Sequence, residues 1–262
     1  MTDKVIILGS GAAPGVPTIS DGWGKCNPQN LKNRRGRAGV YLKIDDTQLI
    51  IDTSADIRNQ LIDNSIHHAD GVLYTHAHAD HIMGIDDLRA FSYNTHKGLN
   101  IYAAKSHLTE IRQRFGYVFT DVFSSETTAR PQLISNTIEY GKAFKIGNIE
   151  VMPLEFAGHP VPTTGYSFNR GRVVLIPDYK IIPPQTLAYL QKIDVNVLIM
   201  PLTTIEPTLY HAGIEIDFDY IRQIGPKAVY FTHLGPDCDY DEIKQRCLPF
   251  MQPTYDGMEI EL

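Results

Sequence analysis

The sequence predicts an α/β (α+β) fold in which two β-sheets pack face to face and helices cover their outer faces. In each half of the chain, short apolar segments typical of strands come first, and amphipathic helical segments are interposed later. Both kinds of element must bury an apolar face, and stacked layers of sheet and helix achieve this. We predict that the 262 residues, 43% of them hydrophobic, form a single domain, 1–262, built from two similar halves.

The first half opens with strands. Val5–Leu8 is short and apolar, and the glycine-rich loop GSGAAPGVP follows it at 9–17. The segments GVYLKI at 39–44 and QLIID at 48–52 form a predicted hairpin around Asp45-Asp46.

A helix and a buried strand are predicted next. Ser54 is expected to cap a helix that has Ile57, Leu61 and Ile62 on one face. The elements predicted after it are a strand at Gly71–Thr75, helices near 83–91 and 106–115, and an exposed loop at 116–130.

The second half repeats this style. Its predicted strands lie at 149–155, 164–169, 172–177, 195–200 and 228–232, with a last strand near 257–262. Its predicted helices lie at 184–191, at roughly 217–224, and from Tyr240 onward.

A histidine cluster follows the strand at Gly71–Thr75. Residues 75–81 read THAHADH, so three of the six positions from His76 to His81 are histidine, in a chain with ten His in 262 residues. Imidazole nitrogens and carboxylate oxygens are ligands that divalent transition metals prefer. Without a metal, such a cluster would leave buried polar groups unpaired. The segment therefore predicts a metal site.

Further ligand types stand at the ends of other predicted strands. His159 follows the strand at 149–155, Asp178 ends the apolar run VVLIPD, and His233 ends the run AVYFTH. Loops at strand ends are where a rigid scaffold presents functional side chains. We expect these three residues to complete the site begun by THAHADH.

Composition excludes several classes of protein. The net charge of −6 argues against a general nucleic-acid-binding surface, and no apolar run reaches the length of a membrane span. Three widely spaced cysteines, Cys26, Cys238 and Cys247, do not suggest a disulfide framework, so a cytoplasmic location is expected.

These residues carry a specific resemblance. The order His76-x-His78-x-Asp80-His81, then His159, Asp178 and His233, resembles the metallo-β-lactamase superfamily of binuclear hydrolases over essentially the whole chain. It is most similar to the branch with the phosphoribosyl 1,2-cyclic phosphate phosphodiesterases and, more distantly, ribonuclease Z. The supporting segments are GSGAAPGVP at 9–17, NPQNLKNRRGR at 27–37, IDTSADIR at 51–58, HADHIMGIDDLR at 78–89 and YDGM at 255–258.

The resemblance implies a four-layer αββα sandwich that holds two divalent metal ions at one edge of the sheets. Zn²⁺ or Mn²⁺ is expected, and Fe²⁺ is also compatible with these ligands. The implied metal ligands are His76, His78 and His159 for one ion and Asp80, His81 and His233 for the other, with Asp178 bridging both. Asp52 would orient a ligand histidine from behind.

Catalysis is implied to involve Asp80, Asp178 and His211, the last of which would contact the scissile phosphate or protonate the leaving oxygen. The expected substrate is a small, cyclic phosphodiester such as phosphoribosyl 1,2-cyclic phosphate. Open alternatives are a ribonuclease Z-like enzyme, a cyclic-nucleotide phosphodiesterase, a glyoxalase II-like thioesterase and a non-catalytic metal-binding protein. No membrane partner is expected, a nucleic-acid partner is disfavoured, and a homodimer is left open.

Arginines are the candidate ligands for phosphate. Arg34, Arg35 and Arg37 form a basic cluster that is either substrate-binding or simply solvated. Arg89 could instead form a structural ion pair with Asp86 or Asp87.

One feature of the branch is missing from this sequence. Some of its phosphodiesterases hold a separate structural zinc through three cysteines and a histidine. The corresponding positions here are Asp21, Trp23, Cys26 and Pro236, so we expect no structural zinc.

Overall fold

The computed structural model describes residues 2–95, 97–121, 123–124 and 130–262, with the side chains of residues 94 and 95 left aside. Its strands are β1 (Lys4–Gly9), β2 (Gly39–Ile44), β3 (Thr47–Ile51), β4 (Gly71–Leu73), β5 (Leu99–Ala104), β6 (Leu133–Ile138), β7 (Phe144–Ile146), β8 (Ile149–Phe156), β9 (Thr163–Phe168), β10 (Val173–Leu175), β11 (Val197–Pro201), β12 (Ala228–Thr232), β13 (Met251–Pro253) and β14 (Met258–Glu261). Its α-helices are α1 (Ile57–Asp63), α2 (Ala79–Ile82), α3 (Arg89–Thr95), α4 (Lys105–Phe115), α5 (Pro184–Leu190), α6 (Ile214–Ile224) and α7 (Tyr240–Arg246).

The strands form two seven-stranded sheets of matching design. The first has the order β14-β1-β2-β3-β4-β5-β6, and the second has the order β7-β8-β9-β10-β11-β12-β13. In both orders the first three neighbouring pairs are antiparallel and the last three are parallel. The predicted similarity of the two halves is therefore visible in the pairing.

Three apolar layers separate the four layers of secondary structure. Along β1, Val5 and Ile7 face the layer between the sheets, whereas Ile6 and Leu8 face the layer under the helices of the first half. The central layer joins side chains of both sheets, and a third layer packs the second sheet against α5, α6 and α7. Strands buried on both faces read as nearly continuous apolar runs. The predicted αββα sandwich is confirmed.

The structure adds strands that the sequence pattern did not suggest. These are β5, β6, β7 and β13. The last three lie at sheet edges, and edge strands are short or polar because one side lacks a partner. β13 also ends in Pro253, a residue tolerated at such edges.

Some helix predictions need correction. In place of the single helix predicted near 83–91, the structure has a 3₁₀ turn at Ile85–Leu88 followed by α3, and α2 ends just before this range. Gly84 lies between α2 and the turn, where an added Cβ would come within 2.1 Å of the Ser54 carbonyl oxygen. The sequence predicts Ile62 on the buried face of α1, but 56% of this residue is exposed in the structure. The predicted helix at 217–224 begins earlier, at Ile214.

The loop predicted at 116–130 lies partly outside the described residues, which omit 122 and 125–129. Across the described ranges, none of the helices combines the length and apolar character needed to cross a membrane.

Candidate metal centre

The predicted ligands leave strands at the same edge of the sandwich. His76 and His78 follow β4, and Asp80 and His81 lie in the first turn of α2. His159 follows β8, Asp178 follows β10, and His233 follows β12. The strands β8, β10 and β12 run parallel to one another within the second sheet, so their carboxyl ends share one edge. The fold therefore brings the histidine cluster of one half against the strand ends of the other.

The first group consists of three histidines. The Nε2 atom of His76 and the Nε2 atom of His159 each lie 3.0 Å from Nδ1 of His78. Ligand nitrogens about 2.0–2.1 Å from a tetrahedral metal would be about 3.3 Å apart, so this spacing fits one divalent ion. His76 is fully buried, and the other two imidazoles are half-buried.

The second group contains two histidines and two carboxylates. His81 Nε2 lies 3.2 Å from an oxygen of Asp80 and 3.5 Å from an oxygen of Asp178. His233 Nε2 lies 3.5 Å from the same Asp80 oxygen. The oxygen of Asp178 that faces His81 is also 3.9 Å from Nε2 of His76. Asp178 thus stands between the two groups, where a bridging ligand would be.

Several buried atoms of these groups lack hydrogen-bond partners among the described residues. They are His81 Nε2, His159 Nδ1, Asp178 Oδ1 and His233 Nε2. An unpaired buried polar atom costs free energy, and the three in the second group, His81 Nε2, Asp178 Oδ1 and His233 Nε2, fit residues arranged for a cation. Imidazole and carboxylate donors suit two divalent metal ions of the zinc or manganese type.

Contacts behind the ligands hold their rings. Asp52 Oδ2 lies 2.7 Å from His81 Nδ1, as expected for the residue that orients a ligand histidine. Sequence reasoning missed Thr75, whose hydroxyl donates to Asp52 and lies 2.9 Å from His76 Nδ1. It also missed Thr203, whose hydroxyl lies 3.1 Å from His233 Nδ1. Thr75 adjoins the cluster in sequence and could have been found, whereas Thr203 has no local signal.

The electrostatics favour ionised carboxylates. Burial alone would raise the pKa of Asp80, but His233 and His81 outweigh it and hold this pKa well below the usual value. Burial would also raise the pKa of Asp178, but the charges of His233 and His81 outweigh it and hold this pKa below the usual value. Burial lowers the pKa of His159 to about 4, so its imidazole is neutral and able to bind a metal above that pH.

His211 lies beside both groups without belonging to either. Its ring centroid is 5.3 Å from that of His159 and 6.3 Å from that of His233. Burial lowers its pKa, and the negative charge of Asp178 opposes this only in part. A neutral imidazole at this position can accept or donate a proton near a substrate held between the groups.

The three arginines of the predicted basic cluster have different surroundings. Arg35 is 3% exposed, and its guanidinium donates to the carbonyl oxygens of Gly235 and Cys238. Arg37 pairs with Asp56. The 27–37 segment folds inward at Arg35, so backbone carbonyl oxygens hold its guanidinium, and its substrate-binding role stays a prediction. The Arg37 guanidinium is already paired with the carboxylate of Asp56. Arg34 is exposed, and its role stays a prediction. Arg89 pairs with Asp86, the structural alternative considered for it.

Cys26 has a different environment from that of a zinc ligand. Its sulfur lies 3.8 Å from Nη1 of Arg35 and 3.5 Å from the Pro236 carbonyl oxygen. The two groups able to hold a metal among the described residues do not include it. The expectation that this chain lacks a structural zinc stays a prediction.

Comparison with known proteins identifies the family. The model of the beta-lactamase superfamily domain matches residues 47–234, a range that includes every residue of both groups. The chain belongs to the beta-lactamase superfamily. The matched part of the chain is therefore of the metal-dependent hydrolase type, as the resemblance implied.

Three relatives of this superfamily member are informative. A solved structure of a new diphosphatase from the PhnP family superposes with a TM-score of 0.88 at 25% identity, covering 99% of this chain and 98% of that one. An octanoyltransferase of Porphyromonas gingivalis is 29% identical over 258 residues, 98% of this chain and 51% of that protein. A ribonuclease Z of Thermoplasma volcanium is 23% identical over 150 residues, 56% of this chain and 47% of that protein. The chain thus spans about half the length of the curated relatives it matches.

Proposed function

We propose that this chain is a phosphodiesterase that hydrolyses a small phosphodiester with two divalent metal ions. The observation that carries the proposal is His211, an imidazole beside both ligand groups that is not needed to complete either of them. A diphosphatase of the PhnP family that superposes over nearly the whole chain supports phosphorus chemistry.

The protein groups have distinct tasks in this proposal. His76, His78 and His159 would hold one ion, and Asp80, His81 and His233 the other, with Asp178 shared. Divalent ions at such a site supply Lewis acidity toward phosphoryl oxygens and lower the pKa of water. Asp52, Thr75 and Thr203 keep the ligand rings in place.

His211 would serve the leaving oxygen. Attack of water on phosphorus forms one P–O bond and breaks the opposite one, so the departing alkoxide needs a proton. Burial keeps His211 neutral in the free protein, and the negative charge of a bound phosphodiester would raise its pKa. His211 can then hold the proton at the atom facing the leaving oxygen.

A second candidate function is hydrolysis of an acyl ester or thioester. It is favoured by the octanoyltransferase that matches 98% of this chain. Phosphoribosyl 1,2-cyclic phosphate remains a candidate diester. However, its additional phosphate has less support from the arginines, since Arg35 and Arg37 contact other groups.

A substrate panel with the metal-loaded protein tests these alternatives. The panel contains phosphoribosyl 1,2-cyclic phosphate, cyclic nucleotides, a chromogenic phosphodiester, 3′-tailed RNA and an acyl thioester, each with zinc and with manganese. We expect turnover of a small phosphodiester at rates well above those for RNA or thioester. Turnover of the thioester alone would replace the proposal by the second candidate, and turnover of none would exclude both.

A further inference from the structure

Three exposed apolar residues lie on the two segments that follow Asp178 and precede His211. They are Ile181, Leu209 and Tyr210, with exposed fractions of 51%, 70% and 45%. We call these three residues the apolar rim. Single exposed apolar residues are ordinary on a protein surface, but neighbouring ones beside a site are typical of ligand binding.

Contacts place the rim against the ligand-bearing loops. The Tyr210 ring centroid is 6.4 Å from that of His159, in an edge-to-face arrangement. Ile181 lies against Gly158, because a Cβ built on that glycine would be 3.4 Å from Ile181 Cγ1. The backbone of Ile181 also pairs with that of Ala157. Two of the rim residues therefore adjoin the loop that carries His159.

Hydrogen bonds hold the loop that carries Leu209 and Tyr210. The Thr208 hydroxyl accepts from the backbone N–H groups of Tyr210 and His211, and the Thr208 N–H donates to the His211 carbonyl. Lys180 Nζ donates to the carbonyl oxygens of Thr208 and Leu209. Leu209 and Tyr210 are thus presented on a turn held by hydrogen bonds, which reduces the entropy lost when a ligand binds.

The charges around the rim do not suit a highly anionic ligand. Within residues 157–163, 178–183 and 205–213, Lys180 is the one lysine or arginine. Its ammonium group already donates to two backbone carbonyl oxygens. Glu206 adds a negative charge to the same loop. A second phosphate on the substrate would therefore find little support here.

We propose that the apolar rim determines specificity by binding an alkyl or aryl group of the substrate while the phosphoryl group lies at the metal centre. This inference rests on the proposed function and narrows it to phosphodiesters with an apolar organic group. Apolar surface that leaves water on binding supplies the preference, at about 25 cal/mol per Å².

The test measures binding, so it does not depend on turnover. Calorimetry compares methylphosphonate with octylphosphonate on the zinc-loaded protein, in the wild type and in the Leu209→Ser and Tyr210→Ala variants. We expect octylphosphonate to bind about tenfold or more tightly than methylphosphonate in the wild type, with that ratio reduced several-fold in each variant.

A matched control is Leu248→Ser. Leu248 is also 51% exposed, but it precedes β13, which runs parallel to β12, so it lies at the opposite end of the sheet from His233. This variant should keep the wild-type ratio. A wild-type ratio near one, or a loss of preference equal in all three variants, overturns the rim's role. Failure of the substrate panel with an intact binding ratio would instead remove the proposed function and leave the rim's apolar preference standing.

Discussion

His211 shows how the surroundings of a histidine decide its role. Seven other side chains at this edge form two groups with their ligand atoms within 4.8 Å of one another, whereas His211 lies beside them and its buried Nδ1 has no hydrogen-bond partner among the residues that the structure describes. A general acid must be close to the reacting group without being consumed as a metal ligand. The proposal therefore gives histidines a few ångströms apart two different functions, metal binding and proton transfer.

Replacing His211 by Ala should separate these functions. We expect kcat to fall by about 10²–10⁴, the range typical of a lost general acid, while the bound metal stays unchanged. Rates with a phosphodiester and metal analysis of the purified variant provide the two measurements. The exposed His67, replaced by Ala, is the matched control and should affect neither quantity. Loss of metal from the His211 variant would show that this residue is a ligand.

At the scale of elements, a buried guanidinium joins two loops near the centre. Arg35 Nη2 donates to Asn33 Oδ1 and to the Cys238 carbonyl oxygen, and Nη1 donates to the Gly235 carbonyl oxygen. Asn33 in turn donates to Asp239, the residue that caps α7. The basic segment at 27–37, for which a solvated loop was one alternative, is therefore joined by hydrogen bonds to the loop following His233.

Arg35→Ala should therefore destabilise the protein more than it affects substrate binding. Loss of the three hydrogen bonds that this buried guanidinium donates predicts a decrease of about 3 kcal/mol in the free energy of unfolding, measured by urea denaturation. Arg34→Ala, which removes an exposed neighbour of the same type, should change it by less than about 0.5 kcal/mol. Equal stability of the two variants would contradict the structural role.

A second pair of buried groups connects α6 to the strand end at Asp178. The Tyr179 hydroxyl donates to Asp217 Oδ1 on α6, and the Tyr179 carbonyl oxygen accepts from the Ala212 N–H next to His211. Burial raises the pKa of Asp217 to about 7, although the Tyr179 hydrogen bond opposes this.

This pair predicts a dependence of stability on pH. Because the folded-state pKa of Asp217 exceeds its unfolded value, its contribution is fully present below about pH 4 and is lost as the pH rises through 7. Asp217→Asn replaces the titrating carboxyl by a neutral amide, so the variant lacks this loss of stability at high pH. The free energy of unfolding of the variant minus that of the wild type should therefore be larger at pH 8 than at pH 5, by at most on the order of 4 kcal/mol. The exposed Asp219, replaced by Asn, should show no such change.

At the scale of the whole molecule, the metal centre joins the two halves of the sandwich. His76, His78, Asp80 and His81 follow a strand of the first sheet, and His159, Asp178 and His233 follow strands of the second. Each of the two ligand groups draws on both halves. Ions bound there would add a cross-link between the sheets.

Removing the metal should consequently lower the melting temperature. At a hundredfold excess over Kd, a bound ligand stabilises the folded state by about 3 kcal/mol, so chelation should lower Tm by about 5–10 °C. Differential scanning calorimetry before and after chelation measures this. Asp178→Asn, which alters the residue between both groups, should respond much less to the chelator. An unchanged Tm in the wild type would argue against metal-linked stability.

Much of the fold followed from local patterns. The hairpin of β2 and β3 and the strands β8, β9, β11 and β12 were predicted because apolar runs between turn residues indicate strands. The seven ligand candidates were found because four of them cluster after β4 and the other three follow the predicted strands that became β8, β10 and β12. The edge strands β6, β7 and β13 were not predicted, because their pairing with a neighbouring strand, rather than their composition, makes them strands.

The amino-acid sequence by itself determined the two-layered sheet architecture and which residues stand where strands end, because side-chain periodicity depends on near neighbours. Only the tertiary structure decided that Arg35 is buried against the loop after His233, that the Thr203 hydroxyl lies beside that histidine, and that Ile181 and Tyr210 each adjoin the loop carrying His159. These contacts join residues far apart in the chain. They depend on how the sheets pack, which no local pattern specifies.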